Sequence, residues 1–184
     1  MIIIPLGEGC NISWKLQKNN LKSKSSIFEW FLSISFKDIN KIVHKIVYDE
    51  PIEITKRYND SGIERDIYLH DTAIRSAHYS LDNFPEKLER RIQRFKEQVS
   101  SNNNILFIRE ENNAYNTTVE DIDQFKQLIK IFNPNCNYKI LLLMPFEIIK
   151  EPLQIEDLYH KQNLRDQDNL LQYIIEIEQT YTIN

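Results

Sequence analysis

The sequence predicts an α/β fold in which helices cover both faces of an open, mostly parallel sheet, giving a three-layer sandwich. Apolar runs at 105–109 and 138–145 flank a helical pattern over 119–132, and this order is typical of a right-handed parallel βαβ unit. Apart from Arg109 and Lys139 both runs are apolar, which is typical of strands that are buried on both faces. Another apolar run, 2–6, opens the chain and leads through a glycine turn into a helical segment. At 184 residues, the chain is expected to form a single domain, 1–184.

A cysteine stands at the junction of the first strand and the first helix. Gly7 and Gly9 permit a sharp turn after the strand, and the helix is predicted to begin at Asn11 or Ile12. The free N–H groups of the helix start would then point at the sulfur of Cys10 and favour its thiolate, so we expect a lowered pKa. The alternative is a small apolar residue packed in the core, since free cysteine is among the most buried residue types.

An aromatic segment follows the first helix, which is expected to end near 19–20. Phe28, Trp30 and Phe31 are predicted to pack over that helix. Glu29 lies among them, and its carboxylate must either face solvent or have a partner, because burying it alone would be costly.

The middle of the chain contains two further helices. Ser35 and Asp38 form an N-cap signal for a helix over 35–47 that has one apolar face. The irregular pattern over 49–81 predicts brief strands and loops. Apolar residues at spacings of three and four then predict an amphipathic helix over 85–99.

The last third of the chain supplies the βαβ unit and a tail. Thr117 and Glu120 predict a capping box at the start of the helix over 119–132. A loop is expected over 146–167, followed by a last helix over 168–179. Because Cys10 directly follows the first strand, we expect it at the carboxyl end of the parallel sheet, where open parallel sheets bind their ligands.

Composition excludes several functional classes. The 23 lysines and arginines and the 27 aspartates and glutamates are interspersed and leave a net charge of −4, so no basic face predicts nucleic-acid binding. Cys10 and Cys136 are far apart and lack metal-type spacing, so we expect neither a disulfide framework nor a metal or other cofactor. The opening apolar run is too short for a signal peptide or membrane span, so we expect a cytoplasmic protein. Nothing in the sequence indicates the oligomeric state.

A nucleophilic cysteine requires a base, for which the chain has four histidines. His44 lies beside the apolar face of its helix and is interpreted as a surface or packing residue. His70, His78 and His160 lie in segments predicted to be irregular, where catalytic side chains are often found. Asp157 and His160 also have the D-x-x-H spacing of an acid and a base, although such a short pattern arises easily by chance.

Several arginines and helix-start groups are candidates for binding a substrate or an anion. Arg90 and Arg91 lie on the polar face of the third helix, which is either a solvated surface or an anion site. Arg109 ends a buried strand and is expected to meet a carboxylate or a substrate. Gly9 and Asn11 flank the cysteine, where backbone N–H groups could form an oxyanion hole.

Several motifs occur in a recognisable order: Leu6-Gly7-x-x-Cys10, Phe28-Glu29-Trp30, His78-Tyr79, Lys87-x-x-Arg90-Arg91-Ile92-x-Arg94-Phe95 and Leu106-Phe107-Ile108-Arg109. In this order, over residues 3–110, they resemble the bacterial "putative papain-like cysteine peptidase" family, a domain of unknown function. The resemblance implies a cysteine-dependent hydrolase, with a papain-like α+β fold as the alternative architecture. Its substrate would be a peptide or another acyl compound.

The resemblance also implies roles for particular residues. Cys10 would be the nucleophile of a Cys-His pair that performs acyl transfer, and His78 would be the base, with His70 and His160 in reserve. Glu29 would orient the base, although the family has Pro-Phe-Asp-Trp at the place where this chain has Ile27 and Glu29.

Two other functions stay open at this point. A more distant resemblance, to capsule-polysaccharide enzymes with a Gly-Asn-Cys turn after the first strand, implies a coenzyme A-dependent acyltransferase of surface-polysaccharide biosynthesis. The arginines of the third helix would then contact phosphate. The third possibility is a non-catalytic binding module in which Cys10 is packed.

Overall fold

The computed structural model describes residues 1–7, 10–21, 24–58, 64–76, 78, 82, 84–111, 117–145, 155–163 and 169–181, with the backbone alone at 57, 58, 64, 65, 145, 160, 162 and 163. The strands are β1 (Ile2–Pro5), β2 (Ile54–Tyr58), β3 (Glu64–Leu69), β4 (Arg75–Ser76), β5 (Ile105–Glu110), β6 (Tyr138–Pro145) and β7 (Leu158–Asn163). The helices are α1 (Cys10–Lys18), α2 (Phe36–Val47), α3 (Phe84–Val99), α4 (Val119–Phe132) and α5 (Leu170–Thr180). Within these ranges, no helix is long and apolar enough to cross a membrane.

Two sheets organise the described part of the chain. Strands β1, β5, β6 and β7 form a four-stranded sheet in the order β1-β5-β6-β7, and every neighbouring pair in it is parallel. Strands β2, β3 and β4 form a small antiparallel sheet in sequence order. The predicted α/β architecture, with its parallel βαβ unit, is confirmed.

The parallel sheet separates two apolar cores, because successive side chains of a strand point to opposite faces. On one face, Phe107 of β5 packs edge-on against Phe125 of α4, with ring centroids 5.0 Å apart, in a core that α2, α3 and the small sheet also join. On the other face, Leu106 of β5 packs in a core with Ile12 of α1 and Ile174 of α5. The layers are therefore helix, sheet and helix, with the small sheet added to one side.

The N-terminal caps differ slightly from the sequence prediction. Ser35 caps α2 as expected, since its Oγ accepts a hydrogen bond from the Asp38 N–H at 3.1 Å. The capping box of α4 consists of Thr118 and Asp121, one residue later than predicted. Thr117 is not the cap because its hydroxyl donates to Glu111 Oε1 at 2.6 Å and thereby closes the loop after β5.

The tail contains a strand where the sequence predicted a loop over 146–167. Strand β7 pairs in parallel with β6 and forms the edge of the sheet. Its sequence, Leu-Tyr-His-Lys-Gln-Asn, lacks the apolar run of the central strands, because an edge strand is not buried on both sides. The remainder of that predicted loop, 146–154 and 164–167, lies outside the described residues.

The aromatic segment packs differently from the prediction that it covers the first helix. Phe28 and Phe31 are fully buried in the core on the face opposite α1, where the Phe31 ring lies 5.6 Å from the Phe84 ring of α3. The contact with α1 is made instead by Trp30, whose backbone N–H donates to Ser13 Oγ at 3.4 Å.

Candidate active site

The turn after β1 places Cys10 at the first position of α1, at the carboxyl end of the parallel sheet. Gly7 has a φ of +80°, and a Cβ at this position would overlap the Ser33 side chain. A residue with a side chain would therefore be both strained and obstructed there. Glu8 and Gly9 lie outside the described residues, so the predicted role of Gly9 stays a prediction.

A thiol and an imidazole lie together at this edge. Cys10 Sγ and His78 Nε2 are 3.0 Å apart, within hydrogen-bond distance, although the two residues are separated by 68 positions in sequence. Cys10 is half-buried at the start of its helix, and His78, two residues after the end of β4, is exposed. A base this close can take the thiol proton directly.

The electrostatics of the thiol differ from the sequence expectation. Burial raises the pKa of Cys10 rather than lowering it, because water that would solvate the thiolate is partly excluded. The helix N-terminus therefore does not produce the expected net fall by itself.

Asn11 fixes the start of α1 to the neighbouring strand. Its side-chain Nδ2 donates to Glu110 Oε1 at 3.0 Å and to Glu110 Oε2 at 2.9 Å, at the end of β5. The side-chain amide of Asn11 is therefore engaged by a carboxylate, and the predicted role of its backbone N–H group in binding an anion stays a prediction. The first backbone N–H groups of a helix have no acceptor within the helix, and those of α1 begin at Cys10.

Arg109 supports the fold and meets a carboxylate, the first of the two partners predicted for it. Its side chain is 0 % exposed and donates to Glu111 Oε1 at 3.1 Å. It also donates to the Ser33 hydroxyl at 2.7 Å and to the backbone carbonyls of Leu6, Ser33 and Ile34. Through these hydrogen bonds the guanidinium joins the turn after β1 to the segment before α2.

The arginines of α3 also contact the protein rather than forming an open cluster. Arg91 is buried and donates to the backbone carbonyl of Glu29 at 3.4 Å, and Arg94 donates to the carbonyl of Ser25 at 2.9 Å. Arg90 is exposed. Arg91 holds the segment that precedes Trp30, and the anion site predicted for Arg90 and Arg91 stays a prediction.

The carboxylate of Glu29 lies on the inner side of α1. It is 1 % exposed, and its Oε2 accepts a hydrogen bond from the Ser26 backbone N–H at 3.1 Å. With Ser13 and Lys24 it lines a cavity of about 10 Å³. These contacts hold the carboxylate against its own loop, and its predicted role of orienting His78 stays a prediction.

The other histidines occupy different parts of the molecule. His70 lies in the turn after β3, where its Nε2 is 4.0 Å from Asp71 Oδ2. His44 stacks on Tyr48 at the end of α2, with ring centroids 4.5 Å apart. The backbone of His160 is on β7, three strand positions from β1 and thus about 14 Å away. The side chain of His160 lies outside what the structure describes.

Sequence reasoning did not identify three residues that connect the pair. Ser13, Trp30 and Ser76 link the helix of Cys10 to the backbone of His78 through hydrogen bonds: 3.4 Å from Trp30 N–H to Ser13 Oγ, 2.8 Å from Ser76 Oγ to the Trp30 carbonyl, and 3.1 Å from His78 N–H to Ser76 Oγ. Serines carry no sequence signal of such a role. Among the described residues, no group of three or more His, Cys, Asp or Glu is arranged to hold a metal ion.

Comparison with known proteins identifies a family. A family model described as "Putative papain-like cysteine peptidase (DUF1796)" matches residues 1–147. The matched part contains β1 to β6, and with them both Cys10 and His78. No curated protein and no solved structure matches the chain.

Proposed function

Because this chain belongs to the putative papain-like cysteine peptidase family, we propose that it is a cysteine-dependent hydrolase that performs acyl transfer through Cys10 and His78. The observation that supports this proposal most directly is the 3.0 Å separation of Cys10 Sγ and His78 Nε2. Papain-like chemistry requires these two groups to be adjacent, since the thiol alone is a weak nucleophile at neutral pH.

The first half of the reaction acylates the sulfur. His78 Nε2 accepts the thiol proton, and Cys10 Sγ attacks the carbonyl carbon of the substrate. The resulting tetrahedral intermediate expels its leaving group, an amine in a peptide substrate, which takes the proton from His78. A thioester on Cys10 remains, and one bond has formed at the carbonyl carbon for the one that broke.

The second half releases the acyl group. Water loses a proton to His78 and attacks the thioester carbonyl, and the carbon–sulfur bond of the intermediate then breaks. The thiolate recovers its proton from the imidazolium, so the enzyme returns to its starting state and the product is a carboxylic acid.

The first turn of α1 is the proposed site for the oxyanion. The backbone N–H groups that a helix start leaves without an intrahelical acceptor begin at Cys10 and lie at the positive end of the helix dipole. Asn11 fixes this turn through its paired hydrogen bonds with Glu110, so the donors are held in place before the charge develops.

The accessible side of α1 supports an extended acyl substrate such as a peptide. Trp14 is 52 % exposed and lies one helical turn after Cys10, on the same side of the helix. An exposed aromatic beside the nucleophile offers an apolar wall for a substrate side chain.

The contacts of two α3 arginines argue against the coenzyme A-dependent alternative. It requires arginines of α3 to contact phosphate, whereas Arg91 and Arg94 donate to backbone carbonyls of the segment before Trp30. The non-catalytic alternative requires a thiol sealed in the core, whereas Cys10 is half-buried and adjacent to an exposed imidazole.

The working setting of the protein is also proposed. A catalytic thiol must stay reduced, so we place the protein in the cytoplasm. We also propose that residues 1–184 form a single domain. Its partner would be an acyl substrate rather than a nucleic acid, since the net charge is −4.

Alkylation of the thiols tests the proposal. Iodoacetamide should label Cys10 selectively near pH 7, and His78→Ala should slow that labelling by about tenfold or more because the thiolate loses its counter-charge. Cys136 is the internal control, since burial raises its pKa to about 11 and should keep it unreactive at neutral pH.

The proposal fails if His78→Ala leaves the rate of Cys10 labelling unchanged. It also fails if Cys10 in the parent protein reacts no faster than a free cysteine. Mass spectrometry of the labelled peptides separates the two thiols, and circular dichroism checks that the variant is folded.

A further inference from the structure

The position of His78 requires an explanation, because the residue is exposed and lies on a loop. Two contacts hold it. Its backbone N–H donates to Ser76 Oγ at 3.1 Å, and the Trp30 ring meets its imidazole edge-on, with centroids 5.6 Å apart and an interplanar angle of 64°. The first contact fixes the backbone and the second limits the orientation of the ring.

Ser76 joins the loop of His78 to the segment of Trp30. Its side chain is buried, at 3 % exposure, and its hydroxyl donates to the Trp30 carbonyl at 2.8 Å while accepting from His78. The next residue pair strengthens this connection, since Arg75 and Leu32 exchange backbone hydrogen bonds of 2.9 Å and 2.8 Å. The Ser76 hydroxyl therefore links the same two chain segments that these backbone hydrogen bonds join.

Trp30 in turn is tied to the helix that carries the nucleophile. Its backbone N–H donates at 3.4 Å to the hydroxyl of Ser13, which is 2 % exposed and lies three residues after Cys10 on α1. Trp30 has a φ of +64°, which is uncommon for a bulky residue. The surrounding contacts must therefore impose this backbone conformation.

We infer that Ser13, Trp30 and Ser76 are positioning residues that set the distance between His78 Nε2 and Cys10 Sγ. Together with the pair they close a path from α1 through Trp30 and Ser76 back to the sulfur. This inference rests on the proposed function, because a fixed distance matters only if a proton passes between the two groups. A displacement of about 1 Å can lower a reaction rate by about 100-fold.

Thr72 provides a matched control for Ser76. Its hydroxyl accepts from the backbone N–H of Ile74, two residues later, at 3.1 Å and donates to the carbonyl of Leu69. Ser76 makes the same two kinds of bond, to the residue two positions later and to a carbonyl. Replacing either hydroxyl removes equivalent hydrogen bonds, but only that of Ser76 leads to the proposed base.

The experiment measures the rate of Cys10 alkylation by iodoacetamide from about pH 5 to about pH 9, in a Cys136→Ala background. Ser76→Ala is expected to slow labelling at pH 7 by about tenfold and to move the midpoint of the pH profile upward, because His78 is no longer held beside the thiol. Thr72→Ala should stay within about twofold of the parent, and Ser76→Thr, which keeps a hydroxyl, should recover most of the rate.

The outcomes separate this inference from the proposed function. If Ser76→Ala labels like the parent while His78→Ala is slow, the positioning role is overturned and the catalytic pair stands. If His78→Ala labels like the parent, the proposed function itself fails. If Ser76→Ala and Thr72→Ala lose rate equally, the effect is general loosening and the inference is overturned.

Ser13→Ala keeps the test decisive if Ser76→Ala does not fold. This variant removes one long hydrogen bond, of 3.4 Å, and should slow labelling by about threefold with the same upward shift of the pH midpoint. A folded Ser13→Ala variant with an unchanged pH profile would contradict the proposed path.

Discussion

At the residue scale, the candidate site depends on a few residues whose backbone conformation or buried contacts restrict what can replace them. Gly7 is required by its positive φ and by the Ser33 side chain beside it. Arg109 joins the turn after β1 to Ser33 and Ile34, so the strand that leads to Cys10 is anchored by a buried guanidinium. The residues that shape the site are thus largely different from those that would react.

Replacing Arg109 tests this anchoring role. Arg109→Met is expected to lower the free energy of unfolding by roughly 3 kcal/mol, because the Glu111 carboxylate, which is 5 % exposed, loses the cation it is buried with. Arg90→Met is the control, since Arg90 is exposed and its loss should change stability by less than about 0.5 kcal/mol. Urea denaturation of both variants gives the measurement, and equal losses would contradict the interpretation.

At the element scale, helices α2 and α4 support the sheet from one face and are linked to each other. The side-chain amide of Asn40 donates to the Asp121 carbonyl at 2.8 Å and to Gln124 Oε1 at 3.2 Å. Asp121 also belongs to the capping box of α4. The first turn of α4 therefore both caps that helix and contacts α2.

The capping box gives a prediction at this scale. Thr118→Ala is expected to lower the free energy of unfolding by about 1 kcal/mol, because the Asp121 N–H loses its side-chain acceptor. Thr118→Ser should retain most of the stability, since it keeps the hydroxyl. Thermal or urea unfolding measures the difference, and a Thr118→Ala variant as stable as the parent would show that the cap contributes nothing here.

At the scale of the whole molecule, the two edges of the parallel sheet have different roles. The carboxyl edge carries Cys10 and receives His78 from the loop after β4. Near the amino edge, Lys139 of β6 donates to Tyr159 of β7 at 3.2 Å and lies over the rings of Tyr159 and Tyr181. This second cluster joins the sheet to the end of α5 and is remote from the proposed chemistry.

Stability at high pH should depend on Cys136, which lies two residues before β6 at the amino end of the parallel sheet. Burial raises the pKa of Cys136 to about 11, above its ordinary value of 9.0, so between these values the unfolded chain loses a proton that the folded protein keeps. Ionisation then favours unfolding, and stability falls as pH rises through this window. Cys136→Ala should flatten that part of the curve. Urea denaturation at several pH values measures it, and parallel curves for parent and variant would contradict the assignment.

The order of strands and helices could be predicted because apolar periodicity is a local property of the chain. The runs at 105–109 and 138–145 became the central strands β5 and β6, and Ser35 capped α2. Strand β7 was missed because an edge strand pairs on one side and does not need an apolar run. The capping box was placed one residue early because Thr117 is used by Glu111, a contact with no local signal.

The sequence by itself determined the α/β class, the parallel βαβ unit and the position of Cys10 between a strand and a helix, because each depends on neighbouring residues. It also limited the candidate bases to His70, His78 and His160. Only the tertiary structure brought His78 to 3.0 Å from the sulfur, while His70 lies beside Asp71, and only it assigned Arg109 to the interior. These outcomes depend on which distant segments meet in space, and contacts between residues far apart in the chain leave no periodic pattern in the sequence.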